Sequence, residues 1–230
     1  MKTNAFKIAV VTLIIFFSYQ IVIWATNDKT AKDVDGNVYK TVTIGTQTWT
    51  SENLKTTKFS DGTPIPHVEK TSEMRTLKSG AYSVYDNKLE NSDVYGKLYN
   101  FYAVADPRNI CPQSWHVPTD AEWQKLIDYL GGDNKAGGKM KEAGNTHWEI
   151  NNGGTNESGF SALPGGHRYP NNVGDDNSYN WIGVRTWFWS STKSGNQGAS
   201  QYREIQDIGT VVIRDQMGNE CGFSVRCLKD

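Results

Sequence analysis

The chain has 230 residues, with 24 basic against 25 acidic side chains and three cysteines. That near-balance lacks the positive field that phosphate contact requires, which argues against a nucleic-acid partner. Abundant glycine, tyrosine and tryptophan beside modest aliphatic content speak against a helical bundle and for a loop-rich fold containing β-structure.

Lys2 and Lys7 precede an uncharged run from Ile8 to Ala25, IAVVTLIIFFSYQIVIWA. A basic start before an apolar stretch reads as a secretory signal ending at Ala25. The rival reading is an uncleaved anchor, because 18 residues just reach the length of a membrane span. Both readings place the bulk of the protein outside the cytoplasm, in the periplasm, at the cell surface or secreted. If the segment is uncleaved, membrane contact runs only through residues 8–25. No cysteine stands near the end of this segment, so a lipid-modified N-terminus is not expected. Removing residues 1–25 leaves 22 basic and 25 acidic side chains, a net charge of -3. Residues 26–32 read as a polar linker, and 33–230 as one domain without repeats or low-complexity tracts.

Asp35-Gly36 signals a turn before Val38 to Ile44, where Val38, Val42 and Ile44 share one parity. Gly45 punctuates, and Gln47 to Thr50 resumes around Trp49, which predicts a hairpin. Asp33, Asp35 and Asn37 imitate the start of a calcium loop. Val38 and Ile44, however, stand where an EF-hand needs glycine and a bidentate acid. Residues 56–95 are turn-rich and resist assignment, and Tyr95 to Val104 fits either a short helix or an extended core segment. Thr119 and Glu122 are spaced as a capping box, with Pro118 and Trp123 placed as its staple. Trp123, Leu126, Ile127 and Leu130 then define one buried helix face, which Gly131-Gly132 ends. A weaker helix spans 134–143, interrupted by Gly137 and Gly138. Beyond Thr146 the best strand candidates are 160–163, 186–191, 209–213 and 223–228.

Three cysteines in an exported chain imply one disulfide and one spare thiol. The residues leave two pairings open, Cys111 with Cys227 and Cys221 with Cys227. His67, His116, His147 and His167 lack metal-ligand spacing. No phosphate loop, nucleophile elbow or triad signature is present, and Gly165-Gly166 reads as a tight turn. Asp175-Asp176, Glu204 and Asp207 read as solvated loop acids. The rival readings are a glycosidase pair and a weak calcium site of Asp175, Asp176 and Asn177. Trp187 and Trp189 alternate with Phe188 along a strand, the pattern of a core. Tyr169, Tyr179 and Trp181 flank the polar loop YPNNVGDDNSYN, where exposed rings suit stacking on a sugar.

Several segments in order carry a family resemblance: DVDGNVYKTVTIGTQTW from Asp33, SENLKTTKFSDGT from Ser51, YGKLYNFYAV from Tyr95 and CPQSWHVPTDAEW from Cys111. TNESGFSALPGGHR from Thr155, WSST from Trp189 and GFSVRC from Gly222 complete the series. Together they resemble the Fibrobacter succinogenes major paralogous domain family, found in exported proteins of Bacteroidetes and relatives. The resemblance implies a Cys111–Cys227 disulfide and leaves Cys221 as an individual addition. That family is in turn similar to the C-type-lectin-like fold and its formylglycine-generating, sulfatase-modifying branch. The enzymes of that branch carry an active-site cysteine pair shortly before the terminal strand and perform copper-dependent oxidation. The corresponding stretch here, residues 187–213, contains no cysteine, so the scaffold transfers but the oxidase chemistry does not.

The expected fold is therefore α+β, C-type-lectin-like, with short mixed strands, one or two helices and long loops. The expected function is a non-catalytic binding module for carbohydrate or a cell-surface glycan, without a cofactor beyond a weak calcium site. Its candidate ligand residues are Arg168, Tyr169, Asp175, Asp176, Tyr179 and Trp181. Tyr179 and Trp181 would stack, and the two aspartates would accept hydroxyl hydrogens. The rival functions are an interaction domain docking onto another surface protein and a diverged oxidase, for which Cys221 is the spare thiol.

Overall fold

The computed structural model describes residues 29–151, 153–170 and 178–230. The expected signal segment, Asp175, Asp176 and Asn177 lie outside the described residues. The fold is mixed α+β, with more strands than helices. The first sheet has the order β1-β2-β3-β12-β6, built from β1 (Thr30–Lys32), β2 (Val38–Ile44), β3 (Gln47–Thr50), β6 (Trp115–His116) and β12 (Leu228–Lys229). The second has the order β11-β10-β9-β7-β8, from β7 (Gly165–Arg168), β8 (Tyr179–Ile182), β9 (Arg185–Lys193), β10 (Ala199–Gln206) and β11 (Val212–Gly218). β4 (Tyr82–Ser83) and β5 (Leu98–Tyr99) make a small two-stranded pair.

The hairpin forms where the turn residues place it, with Val42 opposite Trp49 and Ile44 opposite Gln47. Its buried face differs from the expected parity. Tyr39 turns inward and Val38 is exposed, because 38–40 pair with β1 while 41–44 pair with β3. Asp33 explains the inward tyrosine: the Tyr39 hydroxyl donates to its carboxylate at 2.6 Å. Asp33 also accepts from the Asn37 amide, so this acid-rich stretch is a turn. Thr30–Lys32, expected as linker, are β1 instead, since Ala31 joins the core.

Helix α4 (Asp120–Tyr129) has the expected capping box, with Thr119 and Glu122 bonding reciprocally. Trp123, Leu126, Ile127 and Leu130 are all buried against Trp49, Phe160 and Phe188. Trp123 donates its indole N–H to the Trp189 carbonyl at 3.3 Å. Arg203, on the helix-facing side of β10, meets Asp120 in the first turn of α4 at 2.6 Å. The weaker helix also exists, as α5 (Asp133–Met140). Its glycines have a packing reason: a Cβ on Gly137 would lie 2.8 Å from the carbonyl oxygens of Thr210 and Val211.

Residues 56–95 hold more structure than the sequence announces, with α1 (Thr71–Thr76) and α2 (Leu89–Tyr95). The ambiguous 95–104 stretch resolves into both options, β5 followed by α3 (Phe101–Val104). Gly165-Gly166 start β7 rather than a tight turn. A side chain at Gly166 would strike Tyr85 and the Asn180 carbonyl, so close strand approach explains the glycine. Strand β9 divides the core. Trp187 and Trp189 face one cluster, with Phe223, Tyr202 and Tyr99, while Phe188 faces the α4 cluster. Of the expected C-terminal strands, 223–228 forms mostly isolated bridges, and 160–163 contributes a single bridge at Ala162.

Cys111 and Cys227 are joined by a disulfide across 116 positions. It ties the loop before β6 to the residue before β12. Cys221 is free and buried in the core.

Candidate functional site

Of the six candidate ligand residues, the four that are described do not share one exposed surface. Arg168 is fully buried and spends its guanidinium on the protein. It donates to the Val68 and Glu69 carbonyls and to the Ser178 hydroxyl, while the Tyr179 ring lies beneath it at 5.1 Å. Tyr179 is also buried, and its hydroxyl donates to Asn87 at 2.9 Å. Tyr169 is half-buried against the Trp187 side of the core. Asp175 and Asp176 lie outside the described residues. That leaves Trp181, which is 48% exposed and is the one exposed tryptophan among the described residues.

Trp181 sits at the end of β8, just before the turn into β9. Its φ is +70°, in the left-handed region that a bulky L residue enters at a cost of about 1–2 kcal/mol. Gly183 follows with φ +81°, and the Val184 amide closes the turn on the Trp181 carbonyl at 3.1 Å. The turn therefore holds a large ring outward at a position where glycine would be cheaper.

The partners of that ring come from the two neighbouring strands. Arg185 opens β9, and its guanidinium lies 4.5 Å from the Trp181 ring centre. Its Nη1 donates to Glu204 on β10 at 3.1 Å. Gln206, paired with Arg185 in the strand register, donates to the same Glu204 oxygen at 2.8 Å. Glu204 and Asp207 are buried, contrary to their reading as solvated loop acids. Asp207 donates its amide to the Val184 carbonyl, and Lys141 holds the Asp207 and Gly209 carbonyls from behind. Arg185, Glu204 and Gln206 thus brace one face of an exposed aromatic platform.

Sequence reasoning missed these partners, although one signal was present: Arg185 shares the strand parity of Trp187 and Trp189. Two exposed aliphatics adjoin the same corner, and a third, Val211, lies further along the chain. The Glu149 amide donates to the Gly183 carbonyl, which brings Ile150 beside the turn, and Ile208 follows Asp207. Ile150, Ile208 and Val211 are all exposed, Ile208 at 64%.

The histidines are spread over the molecule. His116 bridges Asp230 at 2.6 Å and Glu122 at 3.1 Å, and His147 meets Glu142 at 2.8 Å. His67 stacks on Tyr82. His167 is buried edge-on against Trp187 with centroids 4.1 Å apart, and its Nδ1 lacks a hydrogen-bond partner. Burial, aided by the Arg185 charge, pulls its pKa down to about 4. Among the described residues no group of three or more histidine, cysteine or acidic side chains is arranged to hold a metal.

Cys221 is equally sheltered. Burial, with Glu220 adding to it, holds its thiol far above the usual cysteine range. A thiolate is the reactive species in cysteine chemistry, so this residue is placed as a small core side chain.

These features define a mixed α+β domain, tied by one disulfide, whose exposed aromatic stands on a braced turn. Residues 42–229 match the family described as the Fibrobacter succinogenes major domain, and the chain belongs to that family. No curated protein and no solved structure matches it.

Proposed function

We propose that this domain is a non-catalytic binding module that acts outside the cytoplasm and recognises carbohydrate through the Trp181 corner. The observation that carries the reading is the Trp181 ring itself, exposed, held in a left-handed conformation and backed by Arg185. An aromatic face presents rigid apolar area to the C–H face of a sugar, at little entropic cost. Arg185, Glu204 and Gln206 supply donors and an acceptor beside it for hydroxyl groups. The scaffold proposed is C-type-lectin-like, which the short mixed strands and long loops support. Export is supported by the Cys111–Cys227 disulfide, because such bonds persist in oxidising compartments.

A glycan array, probed with and without calcium, tests this. Binding to at least one glycan that Trp181→Ala abolishes is the expected result. No binding to any glycan, or an array on which no glycan depends on Trp181, overturns it.

A second reading, docking onto a surface protein, is favoured by one observation. Ile150 and Ile208 are exposed next to residues bonded to the same turn, and clustered exposed apolar residues mark interaction sites. Ile208→Asp separates the two. It disrupts capture of a protein partner from the membrane fraction while leaving a glycan stacked on Trp181 in place.

A further inference from the structure

At the far end of β9 lies a cleft that shares no residue with the Trp181 corner. Its volume is about 570 Å³, within the range of small-molecule sites. Four separate segments build it: the loop from Phe59 to Pro66, the loop from Lys78 to Gly80, α3 with the turn to Arg108, and the pair Lys193 and Asn219. β9 runs from Arg185 to Lys193, so at strand rise the two sites stand roughly 27 Å apart.

The walls are held by the backbone. The Ser60 amide and hydroxyl donate to the Asn109 and Arg108 carbonyls, each at 2.8 Å. Asn100 donates to the Ser79 carbonyl at 2.9 Å, fixing the second loop to α3. The Phe101 amide donates to the Asn219 carbonyl at 2.9 Å. Gly80 lets this loop sit close: a Cβ there would come within 3.0 Å of the Ala103 backbone and 3.1 Å of the Phe59 ring. The cleft is therefore built into the fold.

Its chemistry is one-sided. Three cations line it, Lys78, Arg108 and Lys193, against the single acid Asp106. Arg108 is committed to Asp106 through two bonds of 2.8 and 2.7 Å and lies over the Phe59 ring. Lys78 and Lys193 form no ion pair among the described residues, and Lys78 rests 5.7 Å from the Tyr102 ring. Two lysines on different walls thus line the cleft together with rings and prolines, in a chain whose overall charge is slightly negative. The Asn219 side chain, which lines the cleft, accepts from the Ser200 hydroxyl at 2.8 Å through its oxygen, and its amide nitrogen is a donor.

We infer that this cleft binds an acidic sugar, a saccharide unit bearing a carboxylate or sulfate. The anion would sit between Lys78 and Lys193, whose point charges suit either group without demanding a fixed geometry. The Tyr102 ring and the prolines would pack on the sugar face, and Asn219 and Ser79 would serve its hydroxyls. This site stands independently of glycan binding at Trp181.

Isothermal titration of the protein with digalacturonate, with a sulfated heparin disaccharide and with neutral lactose tests it. The inference predicts binding of at least one of the two acidic disaccharides in low salt, weakening as salt is raised. Lys193→Ala and Lys78→Ala should each cost about tenfold in affinity, and Trp181→Ala nothing. Because both lysines are exposed, neither substitution should disturb folding, which a thermal melt verifies. Failure of both acidic disaccharides to bind, equal binding of lactose, or affinity indifferent to the two lysines overturns it. Loss of affinity in Trp181→Ala would reassign the binding to the other corner.

Discussion

The Arg185 guanidinium lies 4.5 Å above the Trp181 ring and also grips Glu204 at 3.1 Å, so one residue braces the ring and anchors it to the sheet. The brace joins a strained turn to a buried carboxylate. It gives an exposed tryptophan a fixed orientation, which is what a stacking platform needs.

Trp181→Gly should separate this role from folding. The substitution gives up a cation–π contact of about 0.5–1 kcal/mol and relieves left-handed strain of similar size. Urea denaturation should therefore show a stability change under about 1 kcal/mol, with glycan binding lost. A drop of several kcal/mol would mean that the ring is part of the core after all.

Arg168 should behave in the opposite way. Arg168→Met keeps the apolar stem but leaves the Val68 and Glu69 carbonyls and the Ser178 hydroxyl short of a donor. The Ser178 hydroxyl keeps Thr71 as a partner at 3.0 Å, but each carbonyl left unsatisfied costs about 1–3 kcal/mol, so a loss of at least about 2 kcal/mol is expected on denaturation. Glycan affinity of the folded fraction should not change, and a selective loss of affinity would restore Arg168 as a ligand residue.

His167 makes stability depend on pH. Its folded pKa, pulled down to about 4 by burial, lies below the ordinary value of 6.5. Between those values the unfolded chain binds a proton that the folded one refuses. Its stabilising contribution is therefore full above pH 6.5 and is lost as pH falls toward 4, by about 3 kcal/mol in all. His167→Phe should flatten that slope in urea titrations from pH 7 to 4. An unchanged slope would assign the acid sensitivity to other groups.

Gly137→Ala tests why a glycine pair interrupts α5. Alanine gains about 1 kcal/mol of helix propensity. Its Cβ, however, would press on the Thr210 and Val211 carbonyls at 2.8 Å, and overpacking costs about 1–3 kcal/mol. A lower melting temperature is expected, and a higher one would show that the β10–β11 loop yields freely.

What could be read from the sequence were the elements specified locally. The Thr119–Glu122 box, the Trp123-Leu126-Ile127-Leu130 face, the hairpin around Gly45 and the alternation of Trp187, Phe188 and Trp189 each depend on neighbours within a few residues. The disulfide came through family resemblance, since Cys221 offered a local alternative that the residues could not dismiss. Lost to sequence reading were features made by distant partners. Tyr179 looked like a loop ring but packs against Tyr85 and beneath Arg168. Arg168 looked like a ligand group but staples Val68 and Glu69 from about 100 residues away. The cleft between Lys78 and Lys193 joins segments that no spacing pattern connects. Of the candidate site, Trp181 alone survived as an exposed ring, and its brace came from strands the sequence had not paired.

The most direct test of the Trp181 corner follows tryptophan indole N–H signals by two-dimensional NMR while a neutral glycan selected from the array is added. The expected result is that the Trp181 signal, assigned through Trp181→Phe, shifts with saturation, while those of buried Trp49, Trp123 and Trp189 stay in place. A neutral glycan that saturates the protein and leaves the Trp181 signal unmoved would contradict the assignment of this corner as a glycan site.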